Sequence, residues 1–176
     1  VAPLGLDNGN KLRANEQGVV GGTAGGRPLC NGHRLSLGRA GAACVHLHAR
    51  WPDGRPSQEA GHFREIVDRI RSAGSEVVIQ CSTGGAVGMP IEERLGSLVD
   101  GAEMGTLNMG TMNFGDDVFV NTRPDIVKVA TRLRERRLVP ECEVYDAGML
   151  DTLRWLREKE HLAPPYHVQF VLGVPG

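Results

Sequence analysis

From residue 41 onward, short apolar runs alternate with stretches of helical period. The runs at 43–48, 76–81, 104–109, 141–145 and 167–172 have the length and composition of strands. Between them lie four amphipathic segments. Pro56 and Ser57 open one in which Phe63, Ile66, Val67 and Ile70 recur at i, i+3, i+4 and i+7, with Gly74 as its stop. Pro90 starts a second, with Ile91, Leu95, Leu98 and Val99 on one face. Pro124 starts a third carrying Ile126, Ala130 and Leu133, and Asp146 is placed to cap a fourth with Met149, Leu153 and Leu156 turned inward.

Strand, loop and helix repeating every roughly 30 residues is the pattern of parallel βα units. An open doubly wound sheet gathers its functional residues at one switch point, whereas a TIM (β/α)8 barrel draws on many strand ends. Here almost every strand runs into polar or glycine-rich residues: HLHAR, QCSTGG, LNMGTMNFG, EVYDAG, LGVPG. The α/β reading is therefore a barrel. A full one needs about 250 residues, so with 176 residues the barrel is expected to be incomplete at the C-terminus. Residues 1–41 hold ten of the 24 glycines and neither a sustained helical period nor a convincing strand, so 1–37 is expected to be an irregular segment preceding a partial barrel domain over 38–176.

Composition narrows the partner more than the fold. The chain is 40% hydrophobic and 23% charged with a net charge of −1, and nothing in that balance recommends nucleic acid or an anionic membrane. A small polar metabolite suits it better. No run approaches the ~18 apolar residues of a membrane span, and a cytoplasmic location is expected. Cys30, Cys44, Cys81 and Cys142 form no CxxC, and three of them sit in apolar strand-like runs, where a reduced thiol acts as a small hydrophobe.

Three clusters carry candidate chemistry. Residues i and i+2 of a strand share a face ~6.6 Å apart, so His46 and His48 point the same way, with Cys44 one step below. Two readings fit the pair: ordinary half-buried histidines, or half of a divalent-metal site lacking a named third ligand. Ser82-Thr83-Gly84-Gly85, between a strand and the Pro90 helix, is either a flexible turn or an anion cradle of backbone N–H groups and hydroxyls. Thr106, Asn108 and Glu143 sit near strand ends as substrate contacts or as structural donors and acceptors.

The blocks GAACVHLHAR, PDGRPS, VVIQCSTGG, GTLNMGTMNF, ECEVYDAGML and HVQFVLGVPG, in that order and spacing, resemble the β-keto acid cleavage enzymes, a family typified by 3-keto-5-aminohexanoate cleavage. The resemblance runs over about residues 38–176. It implies a TIM barrel and a metal-dependent exchange in which a 3-keto acid and acetyl-CoA give acetoacetate and a new acyl-CoA, as in lysine fermentation. It also implies that His46 and His48 ligate Zn2+, that Ser82, Thr106 and the Gly84-Gly85 backbone hold the keto acid, and that Glu143 faces its variable end, which is cationic in the aminohexanoate enzymes. A homo-oligomer is expected of the full-length barrel. Two alternatives stand beside this one: a non-catalytic truncated remnant of the family, and a different metal-dependent barrel hydrolase.

The resemblance further implies that a carboxylate metal ligand and an Asp/Arg acid–base pair follow LGVPG in longer relatives. Two histidines without that carboxylate are expected to bind zinc weakly, because catalytic zinc takes three protein ligands. The 176-residue chain is therefore expected to turn over slowly. Conversion of a β-keto acid and acetyl-CoA by the chain at stoichiometric zinc, at rates ordinary for enzymes, would reverse this expectation.

Overall fold

Alternation along the strands decides the layering of the molecule, seen here in a computed structural model that describes residues 11–12 and 42–174. Six strands form one sheet in the order β1 (Lys11–Leu12), β2 (Cys44–Leu47), β5 (Val78–Cys81), β6 (Met104–Asn108), β9 (Val139–Val144) and β10 (His167–Phe170). Every pairing in that sheet is parallel. Val45, Leu47, Ile79, Cys81, Leu107, Cys142 and Val144 point to one face and join the hydrophobic core. Their sequence neighbours His46, Gln80, Thr106, Glu141 and Glu143 point to the other face and are buried as well.

The apolar face is covered by three helices. α1 (Ala60–Ser72) buries Phe63, Ile66, Val67 and Ile70. α3 (Arg123–Glu135) buries Ile126, Val129, Ala130 and Leu133, and α4 (Ala147–Glu158) buries Met149 and Leu156. Their ends follow local chemistry. The Thr122 hydroxyl accepts from the Asp125 N–H with Pro124 in the first turn, and Asp146 accepts from the Met149 N–H at 3.0 Å, two caps that satisfy otherwise orphaned donors. Gly74 closes α1 at φ +71°, a left-handed position natural to glycine.

Helices on one face and buried polar groups on the other distinguish this sheet from a doubly wound one, which is covered on both faces. The polar face is concave: Gln80 on β5 donates to Glu141 on β9, reaching over β6 between them. The parallel sheet curls as part of a TIM-like barrel does. The expected irregular segment 1–37 lies outside the described residues except for Lys11–Leu12, which pairs with Cys44 and Val45 of β2.

Three elements differ from their sequence reading. The segment after Pro90 holds only a short α2 (Ile91–Arg94) and a 3-10 turn (Leu95–Ser97), with Leu98 and Val99 buried from irregular chain. Gly96, in that turn, lies against the backbone of Gln58, where a Cβ would stand 2.3 Å from the carbonyl oxygen. Pro56–Ser57 does not open a helix; it forms β4 of a small hairpin with β3 (Ala49–Arg50), and α1 begins three residues later. A second hairpin joins β7 (Met112–Phe114) to β8 (Asp117–Phe119) through Gly115 at φ +64°. Strands of two or three residues are too short to show a period.

Burial keeps the thiols inert. It pushes Cys81 and Cys142 up to about 12, so both stay protonated small hydrophobes at neutral pH.

Glycine contacts give a paired test. Gly96→Ala drives a methyl group into the Gln58 carbonyl and is expected to destabilise the fold by about 2 kcal/mol or more. Gly61, in α1 with nothing within 4 Å of the place a Cβ would occupy, is expected to gain roughly 0.5 kcal/mol on change to Ala. Urea unfolding of the two variants measures both, and equal midpoints would refute the packing account.

Candidate functional site

Parallel strands deliver their C-terminal ends to one side, and there the polar face opens into a cavity of about 270 Å³. His46 enters it from β2 and His48 from just past its end, Ser82, Gly84 and Gly85 from the turn after β5, Asn108 from the end of β6 and Glu143 from β9. Val87, Phe114, Phe119 and Val171 add apolar wall. Seven of the nine expected site residues thus share one space.

The histidines meet through their ε nitrogens. His46 Nε2 and His48 Nε2 stand 2.9 Å apart, with ring centroids at 4.7 Å and planes tilted by 57°. β2 ends at Leu47, so His48 sits just past it and is exposed, whereas His46 is buried. The deeper ring is held from behind, because its Nδ1 lies 2.5 Å from Gln80 Oε1. An amide oxygen only accepts, so this contact calls for the tautomer with the proton on Nδ1 and a lone pair on Nε2. In that tautomer His48 Nε2–H donates to it, and this proton must leave Nε2 before His48 can ligate an ion.

That arrangement fits part of a metal site. Two nitrogens on one tetrahedral ion, each bonded at ~2.0–2.1 Å, lie roughly 3.3 Å apart, a few tenths of an ångström wider than here. A ring nitrogen facing the ion with its other nitrogen donating to an oxygen is the usual arrangement of a metal-ligating histidine. Among the described residues no group of three His, Cys, Asp or Glu is gathered to hold an ion, so the pair offers two ligands. Cys44 is not among the residues lining the cavity.

The turn after β5 is organised internally. Thr83 N–H donates to Thr106 Oγ1 at 2.9 Å, and the Thr83 hydroxyl donates to the Thr106 carbonyl at 2.9 Å. Both threonines are fully buried and are not among the residues lining this cavity; their hydroxyls stand 3.1 Å apart, within hydrogen-bond distance. The Gly84 N–H donates to Ser82 Oγ at 3.1 Å. Of the expected anion-holding N–H groups, those of residues 83 and 84 therefore already have partners, and the Ser82 hydroxyl, having accepted one bond, keeps its own proton to donate. Gly84 lies close to Ser82 and His48, since a Cβ there would come 3.2 Å from Ser82 Oγ, a tight contact, and 4.0 Å from His48 Cε1.

At the other side of the cavity, Glu143 is 5% exposed and accepts from the Tyr145 hydroxyl at 3.3 Å. Asn108 is 4% exposed, and its Oδ1 has no hydrogen-bond partner among the described residues. A buried acceptor of that kind is costly unless something donates to it. A second groove of about 480 Å³ shares Tyr145, Val171 and Val174 with this cavity.

Sequence reasoning missed Arg94, Gln80 and Glu141. Arg94 is 3% exposed and donates to the Thr83 carbonyl at 2.7 Å, the Val120 carbonyl at 3.1 Å and Asn121 Oδ1 at 2.7 Å. Its guanidinium also lies 4.6 Å from the Phe119 ring centre. One side chain thereby ties the turn to the segment after the β7–β8 hairpin. Burial lowers its pKa, while the charges of Asp125 and Glu143 oppose that shift. A lone arginine in a short helical segment carries no signal of this role. Gln80 and Glu141 did carry one: Glu141 lies two residues before Glu143 on the same face of β9, and Gln80 two residues before Ser82, which follows β5 directly.

A family model described as beta-keto acid cleavage enzyme matches residues 37–176. The chain is 45% identical over 138 residues, 78% of its length, to half of the 3-keto-5-aminohexanoate cleavage enzyme of Acetoanaerobium sticklandii. It is 34% identical over 168 residues to the 3,5-dioxohexanoate:acetyl-CoA acetone transferase of Paraburkholderia graminis, covering 81% of this chain and 54% of that one. It is 34% identical over 136 residues to the 3-oxoadipate:acetyl-CoA acetyltransferase of Cupriavidus necator, covering 77% and 47%. The chain spans about half the length of the curated relatives it matches. No helix among the described residues is long and apolar enough to cross a membrane.

Arg94→Met removes three donors at once and leaves the Thr83 carbonyl and Asn121 Oδ1 buried without them. The expected loss is about 3 kcal/mol or more, and Arg94→Lys is expected to recover little, because one ammonium cannot span three separated acceptors. Chemical denaturation of both variants checks this; a lysine variant as stable as the parent would contradict it.

Proposed function

The chain belongs to the β-keto acid cleavage enzyme family, and from that premise we propose that it carries the histidine and substrate-holding part of a site that exchanges acyl groups between a 3-keto acid and acetyl-CoA. In that reaction the bond between C2 and C3 of the keto acid breaks, the acetyl group joins the freed two-carbon unit as acetoacetate, and the remaining acyl group leaves on sulfur as a new acyl-CoA. The relatives named for acetyl-CoA transfer support it. The observation that carries it is the convergence of the His46 and His48 ε nitrogens at 2.9 Å in one cavity with Ser82, Asn108 and Glu143.

His46 and His48 would hold a divalent ion, Zn2+ by the chemistry of the donor set. When bound, the ion supplies positive charge where enolate charge develops on a carbonyl oxygen, contributing several kcal/mol. Neutral imidazoles leave that charge undiminished. The Ser82 hydroxyl donates to an oxygen of the keto acid, and the Gly84-Gly85 backbone lets that end of the molecule come close to His48. Thr83 and Thr106 contribute by stiffening the turn. Asn108 Oδ1 accepts from a donor on the substrate.

Glu143, held by Tyr145, receives the variable end. A carboxylate buried there favours a cationic group, which matches the amine in the substrate named for the 45%-identical relative. The adjoining groove of about 480 Å³ gives a two-substrate reaction space for the thioester beside the first cavity. The remaining ligand and the acid–base pair expected of the family are proposed to come from the part of the fold this chain does not span. A homo-oligomeric, cytoplasmic enzyme of amino acid catabolism accords with this reading.

Isothermal titration of the zinc-loaded chain with 3-keto-5-aminohexanoate, and with a neutral 3-keto acid of equal length, tests the assignment. His46→Ala is expected to abolish the zinc-dependent part of binding. Glu143→Gln is expected to weaken the amine substrate roughly 10- to 100-fold, since a hydrogen bond to a charged group contributes ~1.5–3 kcal/mol, and to leave the neutral acid nearly unchanged. Equal losses for both ligands would overturn the role given to Glu143.

A further inference from the structure

We propose that Gln80 and Glu141 are positioning residues that set the tautomer of His46, so that its Nε2 lone pair faces His48 before any ligand arrives. The inference rests on the metal-holding role given to His46 above, but it concerns residues that this role does not name.

The three groups form a line through the buried polar face. His46 and Gln80 are register partners on adjacent strands β2 and β5, so amide and ring lie side by side. Glu141, on β9, receives the Gln80 side-chain N–H across β6. Gln80 and Glu141 are both fully buried and His46 is 4% exposed, so water does not scramble the pattern.

The logic is one of donors and acceptors. A primary amide has one donating and one accepting end, whereas a carboxylate only accepts. With Glu141 taking the NH2 end, Gln80 must turn Oε1 to the ring, at 2.5 Å from Nδ1. That oxygen can bond only to a ring N–H, so Nδ1 keeps the proton and Nε2 is left as a lone pair on the cavity side. Reversing the amide would set its oxygen against the carboxylate, acceptor against acceptor. Orientation thus passes from a fixed carboxylate to a ring nitrogen on a distant strand, through a neutral group that places no full charge beside the imidazole.

The structural roles of these residues and their orienting role separate in one measurement. Side-chain 15N spectra of the metal-free, 15N-labelled chain at mildly alkaline pH report which His46 nitrogen is protonated. The expected result is Nδ1–H with an unprotonated Nε2. In Gln80→Leu, of similar shape but with no acceptor, the Nε2–H form is expected to appear, and zinc affinity measured by chelator competition to fall about 10- to 100-fold, the range usual for loss of an outer partner of a histidine ligand. Gln80→Glu, whose carboxyl group donates to Glu141 and accepts from Nδ1–H, is expected to restore the tautomer. An Nε2–H form in the unaltered chain overturns the proposal and needs no variant. An unchanged tautomer in Gln80→Leu overturns it as well. If the tautomer responds as expected but His46→Ala binds zinc as tightly as its parent, the relay stands and the metal reading fails.

Discussion

A parallel sheet with helices on only one face must find partners for everything on the other, and that constraint governs this molecule. His46, Gln80, Thr106, Glu141 and Glu143 are buried on the concave side, where an unmatched polar group is costly. Their hydrogen bonds therefore run sideways from strand to strand, from His46 to Gln80 and from Gln80 to Glu141, and they act as connections between strands as much as chemical groups. The curl of the sheet and the order of its polar face require each other.

The same constraint explains why the cavity is selective about what is left exposed to it. Thr83 and Thr106 satisfy one another, and Arg94 gathers the carbonyls of Thr83 and Val120 together with Asn121. Among the described residues, the polar lining of the cavity includes His46, His48, Ser82, Asn108 and Glu143. Preorganisation of this kind means the groups need little rearrangement when a ligand enters. Polar residues near the rim fall into two classes, those that bond within the scaffold and those that line the cavity, and sequence position does not tell them apart.

Family membership and site geometry contribute different things. The match over residues 37–176 establishes ancestry, while the relatives themselves carry names for several keto acids, so ancestry leaves the substrate open. The preference for a cationic end proposed above rests instead on a local feature, the buried carboxylate of Glu143 beside Tyr145.

Much of this was legible along the chain. Strand and helix periods located all five long-run strands and the inward faces of α1, α3 and α4, because burial against a helix layer imposes alternation and helical spacing directly on residue type. His46, His48, Ser82, Asn108 and Glu143 stood out for the same reason, as polar residues at the ends of apolar runs. What the sequence could not decide depended on neighbours far along the chain. Gly96 packs against the Gln58 backbone, Arg94 acts on carbonyls 11 and 26 residues away, and Gln80 finds Glu141 across 61 residues. Hydrogen-bond direction is a property of pairs, so it enters only when folding brings the two members together.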